Sequence, residues 1–175
     1  MLAAVSVVAA AASGAVAGAL AGLIGGLAAA PVRVVTGMLA AFLIAIAALA
    51  RPSRMPQFDR ETEQGLLGLG PVTWAAVNGS LLGLGFTSRI GYWAWYLIPV
   101  GILAVGSPTA GAAIWGAYAF TRLAIAAGVA AHMHRQPRRM PDISSKILGL
   151  RPAARRIAGL TTAGIAAALA LLLGV

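Results

Sequence analysis

The sequence predicts an all-α integral membrane protein of six transmembrane helices, built as two inverted three-helix repeats. Three observations lead there. First, the 175 residues are 60% hydrophobic and only 10% charged, with a mean hydropathy of +0.89. Soluble domains carry about 25% charged residues, so a surface this poor in charge needs lipid as its solvent. Second, the apolar residues come in stretches long enough to cross a hydrocarbon core about 30 Å thick, at about 1.5 Å per residue. Third, one short sequence occurs twice. Residues 51–56 read Arg-Pro-Ser-Arg-Met-Pro and residues 136–141 read Gln-Pro-Arg-Arg-Met-Pro. Downstream, Gly65-Leu-Leu-Gly-Leu-Gly-Pro71 answers Lys146-Ile-Leu-Gly-Leu-Arg-Pro152. Such self-similarity reads as an internal duplication within one transmembrane domain over 1–175, with repeat 1 at about 1–86 and repeat 2 at about 87–175.

The elements follow in order. Residues 2–30 form the first span, in which Gly14, Gly18 and Gly22 recur every four residues and share one helix face. A second backbone can come close there, so these glycines are read as helix-packing positions. The stretch has no basic n-region and is expected to be a span and not a cleaved signal peptide. Pro31 and Arg33 end it, and residues 34–50 form a short second span. The loop 51–64 sets Arg51, Arg54 and Arg60 against Asp59, Glu61 and Glu63, so its charges cancel. Residues 65–86 form the third span, with Trp74, Asn78 and Ser80 inside it. Thr87-Ser88-Arg89 is a polar break before the fourth span, residues 90–107. Tyr92, Trp93, Trp95 and Tyr96 open that span, as an interfacial aromatic belt or as a stacking platform for a flat ligand. Ser107-Pro108 turns the chain into the fifth span, 109–131, which carries Arg122. The segment 132–156 holds two histidines, Lys146, six arginines and one acid, Asp142; residues 157–175 form the sixth span.

Length and charge then give a topology. Residues 65–131, between the two repeated loops, are long enough for three crossings. An odd number puts the loops on opposite sides. The basic 132–156 loop is expected to be cytoplasmic. Counting back, Arg89 and Arg33 fall inside, the 51–64 loop is extracytoplasmic, and both termini lie outside. The expected location is the bacterial inner membrane. The net charge of +9 is concentrated in one loop between apolar segments. It therefore reads as an orientation signal and not as a nucleic-acid surface.

Few residues are placed to do chemistry. A cation within a span costs about 2.5–3.5 kcal/mol on insertion scales. Arg122 is therefore expected either to contact an anionic solute or to snorkel to the headgroups. Arg89, in the matching phrase Gly85-Phe-Thr-Ser-Arg89, has the same two readings. Asn78 and Ser80 either line a solute path or hydrogen-bond across helices. Pro99 interrupts the fourth span and either frees a backbone carbonyl at mid-depth or kinks the helix. No carboxylate lies within a span, which argues against an acid relay. His132 and His134 diverge by about 200° on a helix and have no acid close in sequence, so no metal site is expected. With no cysteine and no nucleophile–base pair, neither a cofactor nor an enzymatic activity is expected. Arg135, Arg138, Arg139, Lys146, Arg151, Arg155 and Arg156 are read as contacts to anionic lipid headgroups. Other partners would be further membrane subunits or a second copy of the chain.

Six spans in two inverted halves, with outside termini, resemble the LysE and DsbD/CcdA group of membrane proteins. The likeness covers most of the chain as architecture. The redox members of that group carry a proline–cysteine motif in the first span of each half. Pro99 is comparable in place, but the region near Gly22 has no proline and the chain has no cysteine, so thiol electron transfer is not carried over. The resemblance implies a transporter-like fold. Two functions follow as expectations. One is a small transporter or exporter of a polar, anionic or zwitterionic solute, with its site near Arg122, Asn78, Ser80, Pro99 and Arg89. The other is a non-catalytic accessory or assembly subunit of a larger membrane complex, suggested by small size and glycine-faced helices.

Overall fold

The computed structural model describes residues 1–50, 70–85 and 93–135, and isolated positions at 68, 149, 152, 153, 156, 157, 160 and 164. All regular structure among the described residues is helical. The elements are α1 (Leu2–Gly26), α2 (Ala30–Ala50), α3 (Pro71–Leu84), a 3-10 turn (Trp93–Tyr96) running into α4 (Leu97–Val105), and α5 (Pro108–Arg135). Three of these, α1, α2 and the Pro108–His132 part of α5, are long and apolar enough to cross a membrane.

Local chemistry sets the boundaries. Pro31 sits in the first turn of α2, where its missing N–H costs nothing. It therefore opens the second helix, four residues earlier than the expected start at 34. Pro71 and Pro108 play the same part in α3 and α5. The amide of Ala110 donates to Ser107 Oγ at 3.3 Å, which caps α5. Gly85 and Gly106 close α3 and α4 with φ of 81° and 65°, in the region where a side chain is strained. Pro99 is the third residue of α4. It sits among the amides that have no helical partner in any case, so it marks a helix start and not a kink within a span.

α1 is the axis of the bundle: α3, α4 and α5 all pack on it, and α2 packs on α4. α5 runs antiparallel to α1. Gly14 faces Trp115 and Ala119, Gly18 faces Gly111, and Gly22 faces Ser107 and Pro108. α3 runs parallel to α1. Ser6 Oγ donates to the Ala75 carbonyl at 2.9 Å, and Ser13 Oγ donates to the Ser80 carbonyl at 2.8 Å. Gly79 and Gly83 pack on the backbone of Ser6 and Ala10. α4 continues in the same direction further along α1: the cluster of Trp95, Ile102 and Trp115 packs on Ala17 and Ala21, and Leu103 lies against Gly25.

α3 and α4 are thus in series. Together they make one interrupted passage alongside α1 where two antiparallel spans, 65–86 and 90–107, were expected. Hydropathy reports how long an apolar stretch is, not which way it runs. The direction is set by the Ala75–Gly79–Gly83 stripe, which fits the serine-bearing first half of α1, and by α4, whose Leu103 lies against Gly25 in the second half. α2 returns antiparallel to α4, with Arg33 against Gly106, Gly37 against Ala104, and Ala41 and Ala45 against Leu97. Met1, Ala50, Pro71 and Arg135 therefore lie toward one end of the bundle, and Leu27–Ala29 and Gly106–Ser107 toward the other. Between the two repeated loops the described chain makes an even number of passages, α3–α4 and α5. Six spans and an inverted pairing of halves are not shown by the described residues. The repeated loops themselves, and nearly all of the sixth span, lie outside the described residues.

The core is small because the helices are close. Its largest cluster is Trp95, Ile102 and Trp115, with the two indoles edge to face at 6.1 Å and 84°. Ala10, Ala119 and Leu123 form a second cluster, and Ala41 and Ala45 a third.

Candidate functional site

The feature that stands out is the interruption between α3 and α4. A helix end leaves its last four carbonyls without helical partners, and in a low-dielectric interior each must find a donor. α3 ends beside Ala10 and Gly14, midway along the 25 residues of α1. Its carbonyls are met from α5. Trp115 Nε1 donates to the Gly83 carbonyl at 3.2 Å. The Leu82 carbonyl accepts the Gly85 amide at 3.3 Å and an Arg122 guanidinium N–H at 3.5 Å. The C-terminal end of a helix carries about half a negative charge, so a cation is well placed there. Tyr118, one turn before Arg122, sets its phenol beside the same guanidinium. On the far side of the break the Trp95 ring lies against Gly85, where a side chain would collide with the indole. The Trp95 Nε1–H is buried and has no hydrogen-bond partner among the described residues. The interruption thus gathers a half-helix end, a cation, a phenol and a spare indole donor.

The expected site residues divide as follows. Arg122 is at the interruption and half-buried. Asn78 and Ser80 are half-buried on α3, and Ser80 takes part through its carbonyl, which accepts from Ser13. Pro99 begins α4 beyond the break, and Arg89 lies outside the described residues. Gly14, Gly18 and Gly22 are buried in the seam between α1, α5 and the turn before α5. His132, His134 and Arg135 are exposed on the last turn of α5, and Arg156 is exposed at an isolated helical position. Arg138, Arg139, Lys146, Arg151 and Arg155 lie outside the described residues. No group of three metal-ligating side chains occurs among the described residues.

Sequence reading passed over Ser6, Ser13, Trp115 and Tyr118. Ser6 and Ser13 are the only polar side chains of α1 and stand seven apart, two turns on one face; that spacing was a usable signal. It also passed over Arg33. This residue lines a cleft of about 340 Å³ between α1, α2 and α4, walled by Ile24, Ala28, Ala40, Val100 and Leu103. Its Nε is buried and has no hydrogen-bond partner among the described residues.

Comparison with protein-family models, with curated proteins and with solved structures finds no match to this chain.

Proposed function

We propose that the chain is a small multi-pass transporter of a bacterial inner membrane, exporter-like, moving a polar, anionic or zwitterionic solute past the break between α3 and α4. The observation that carries this reading is the half-helix end at mid-depth held by Arg122. A helix end within the hydrocarbon is tolerated only where protein buries its free carbonyls or a cavity lines them. Discontinuous helices recur as solute sites in transporters. Arg122 has five N–H donors and places one on Leu82 at the outer limit of hydrogen bonding, so donors remain for a solute carboxylate or phosphate. The reading needs this interruption and does not rest on the likeness to the LysE and DsbD/CcdA group.

Charge orients the bundle. Of the 13 lysines and arginines, Arg51, Arg54, Arg60, Arg135, Arg138, Arg139, Lys146, Arg151, Arg155 and Arg156 belong to segments that follow α2 or end α5. Among the described residues Arg33 is the one cation at the opposite end, with Arg122 between the two ends. The end bearing Met1, Ala50, Pro71 and Arg135 is therefore assigned to the cytoplasm. This reverses the outside placement of Met1 that follows from three crossings between the loops.

The accessory-subunit reading loses part of its motivation. The glycines that recommended α1 as a partner-binding helix already face α3, α5 and the Ser107 turn. A partner would have to use α2, which leaves Leu39, Phe42, Leu43 and Ile46 exposed.

The test is flux from proteoliposomes preloaded with labelled amino acids, carboxylates and phosphate esters. Arg122→Ala and Asn78→Ala should each abolish or strongly reduce it. Full flux through both variants removes the site assignment. A stoichiometric protein partner in native mass spectra of detergent extracts, with no flux from the purified chain, favours the subunit reading.

A further inference from the structure

We propose that the cleft between α1, α2 and α4 holds one anionic phospholipid, its phosphate on Arg33 and the upper part of one acyl chain along the apolar wall. The first ground is charge. All four carboxylates of the chain, Asp59, Glu61, Glu63 and Asp142, belong to segments attached to the other end of the bundle. No Asp or Glu occurs among the described residues, and the buried Nε of Arg33 has no hydrogen-bond partner among them. It also stands in the first turn of α2, at the positive end of the helix dipole, where a cation is disfavoured until an anion joins it.

The second ground is position. The guanidinium lies against Gly106, the left-handed residue that closes α4; any side chain at 106 would strike it. Its buried contact there holds the charge at the cleft. The third ground is the wall. Apart from Arg33, the only polar side chain lining the cleft is Thr36, whose hydroxyl already donates to the Val32 carbonyl at 2.7 Å. The remainder is aliphatic, and Ile24 and Leu103 at its edge are exposed. A free phosphate would leave that wall bare, whereas a phospholipid uses both the cation and the wall. Pockets between transmembrane helices that present a cation are a known form of headgroup site. About 340 Å³ is at the lower end of ligand pockets, room for a headgroup and part of one chain.

The experiment is native mass spectrometry of the full chain in a non-ionic detergent with equal amounts of dioleoyl phosphatidylglycerol and phosphatidylcholine. The wild type should retain the anionic lipid several-fold more than the zwitterionic one: both offer a phosphate to Arg33, but the choline ammonium offsets that charge in the second. Arg33→Gln should bring the two toward parity while leaving the basic 132–156 segment untouched. Ala40→Leu, which narrows the cleft and leaves the charge in place, should lower anionic retention as well; it serves if Arg33→Gln fails to fold. Arg122→Gln should change nothing in this assay. Undiminished preference for phosphatidylglycerol in both Arg33→Gln and Ala40→Leu overturns the proposal. So does displacement of the lipid by millimolar inorganic phosphate, which would make a free anion the ligand.

Discussion

Replacing Gly18 by alanine adds one methyl group at the tightest point of the α1–α5 seam. A Cβ built there lies 2.6 Å from the Gly111 carbonyl carbon and 2.8 Å from Trp115 Cβ, against the 3.4 Å at which ordinary contact begins. Both neighbours are fixed: one is backbone and the other is the root of a buried indole. The helices must therefore part by about 0.8 Å or more. A gap of that size forfeits a quarter to a half of each dispersion contact along the seam. Forcing a methyl into a packed interior costs about 1–3 kcal/mol. Alanine also gains about 1 kcal/mol over glycine in helix propensity, which offsets part of the loss. Gly101 separates the two effects, since it lies in α4 with nothing within 4 Å of its built Cβ. Gly101→Ala should be neutral or stabilising and Gly18→Ala destabilising. The assay is reversible unfolding in mixed micelles as the denaturing detergent fraction rises. Equal midpoints for the two variants would refute the argument that backbone proximity, and not helix propensity, holds α1 to α5.

Three further predictions follow from the same contacts. Ser13→Ala removes the donor to the Ser80 carbonyl and should cost about 0.6 kcal/mol, the mean for interhelical bonds in bilayers, in the same unfolding assay. Trp115→Phe keeps most of the core cluster but leaves the Gly83 carbonyl without its indole donor; a loss of about 1–3 kcal/mol is expected, and a loss no larger than for Ser13→Ala would place that carbonyl in contact with water. Reporter fusions at positions 57 and 140 should report the same side of the membrane, the cytoplasm, whereas opposite sides would restore three crossings between the repeated loops.

Much of the bundle was legible because its signals are periodic. The four-residue spacing of Gly14, Gly18 and Gly22 named the buried face of α1, and continuous apolar runs located α1, α2 and α5 to within a few residues. Arg122 drew attention because a cation among apolar residues must answer to something. What could not be read was direction. The apolar runs around α3 and α4 each look long enough for a full crossing, and the contacts that align α3 with α1 involve backbone carbonyls of Ala75 and Ser80, whose positions no side-chain pattern encodes. The Ala75–Gly79–Gly83 stripe was visible at the same spacing as that of α1, but the polar Asn78 and Ser80 beside it suggested chemistry first. Arg33 was missed because its isolation depends on which end of the bundle each loop joins, a property of the tertiary path.

The two residues that meet most closely in the α1–α5 seam, Gly18 and Gly111, are 93 positions apart. At roughly 5–20 residues per second of translation, α1 is made about 5–20 s before the helix that covers its glycine face exists. During that interval the face of α1 that α5 will cover is turned to lipid or to an insertion factor, while α2, α3 and α4 are made ahead of α5. Biogenesis then starts at the axis, and its glycine face closes only when the last of these helices arrives.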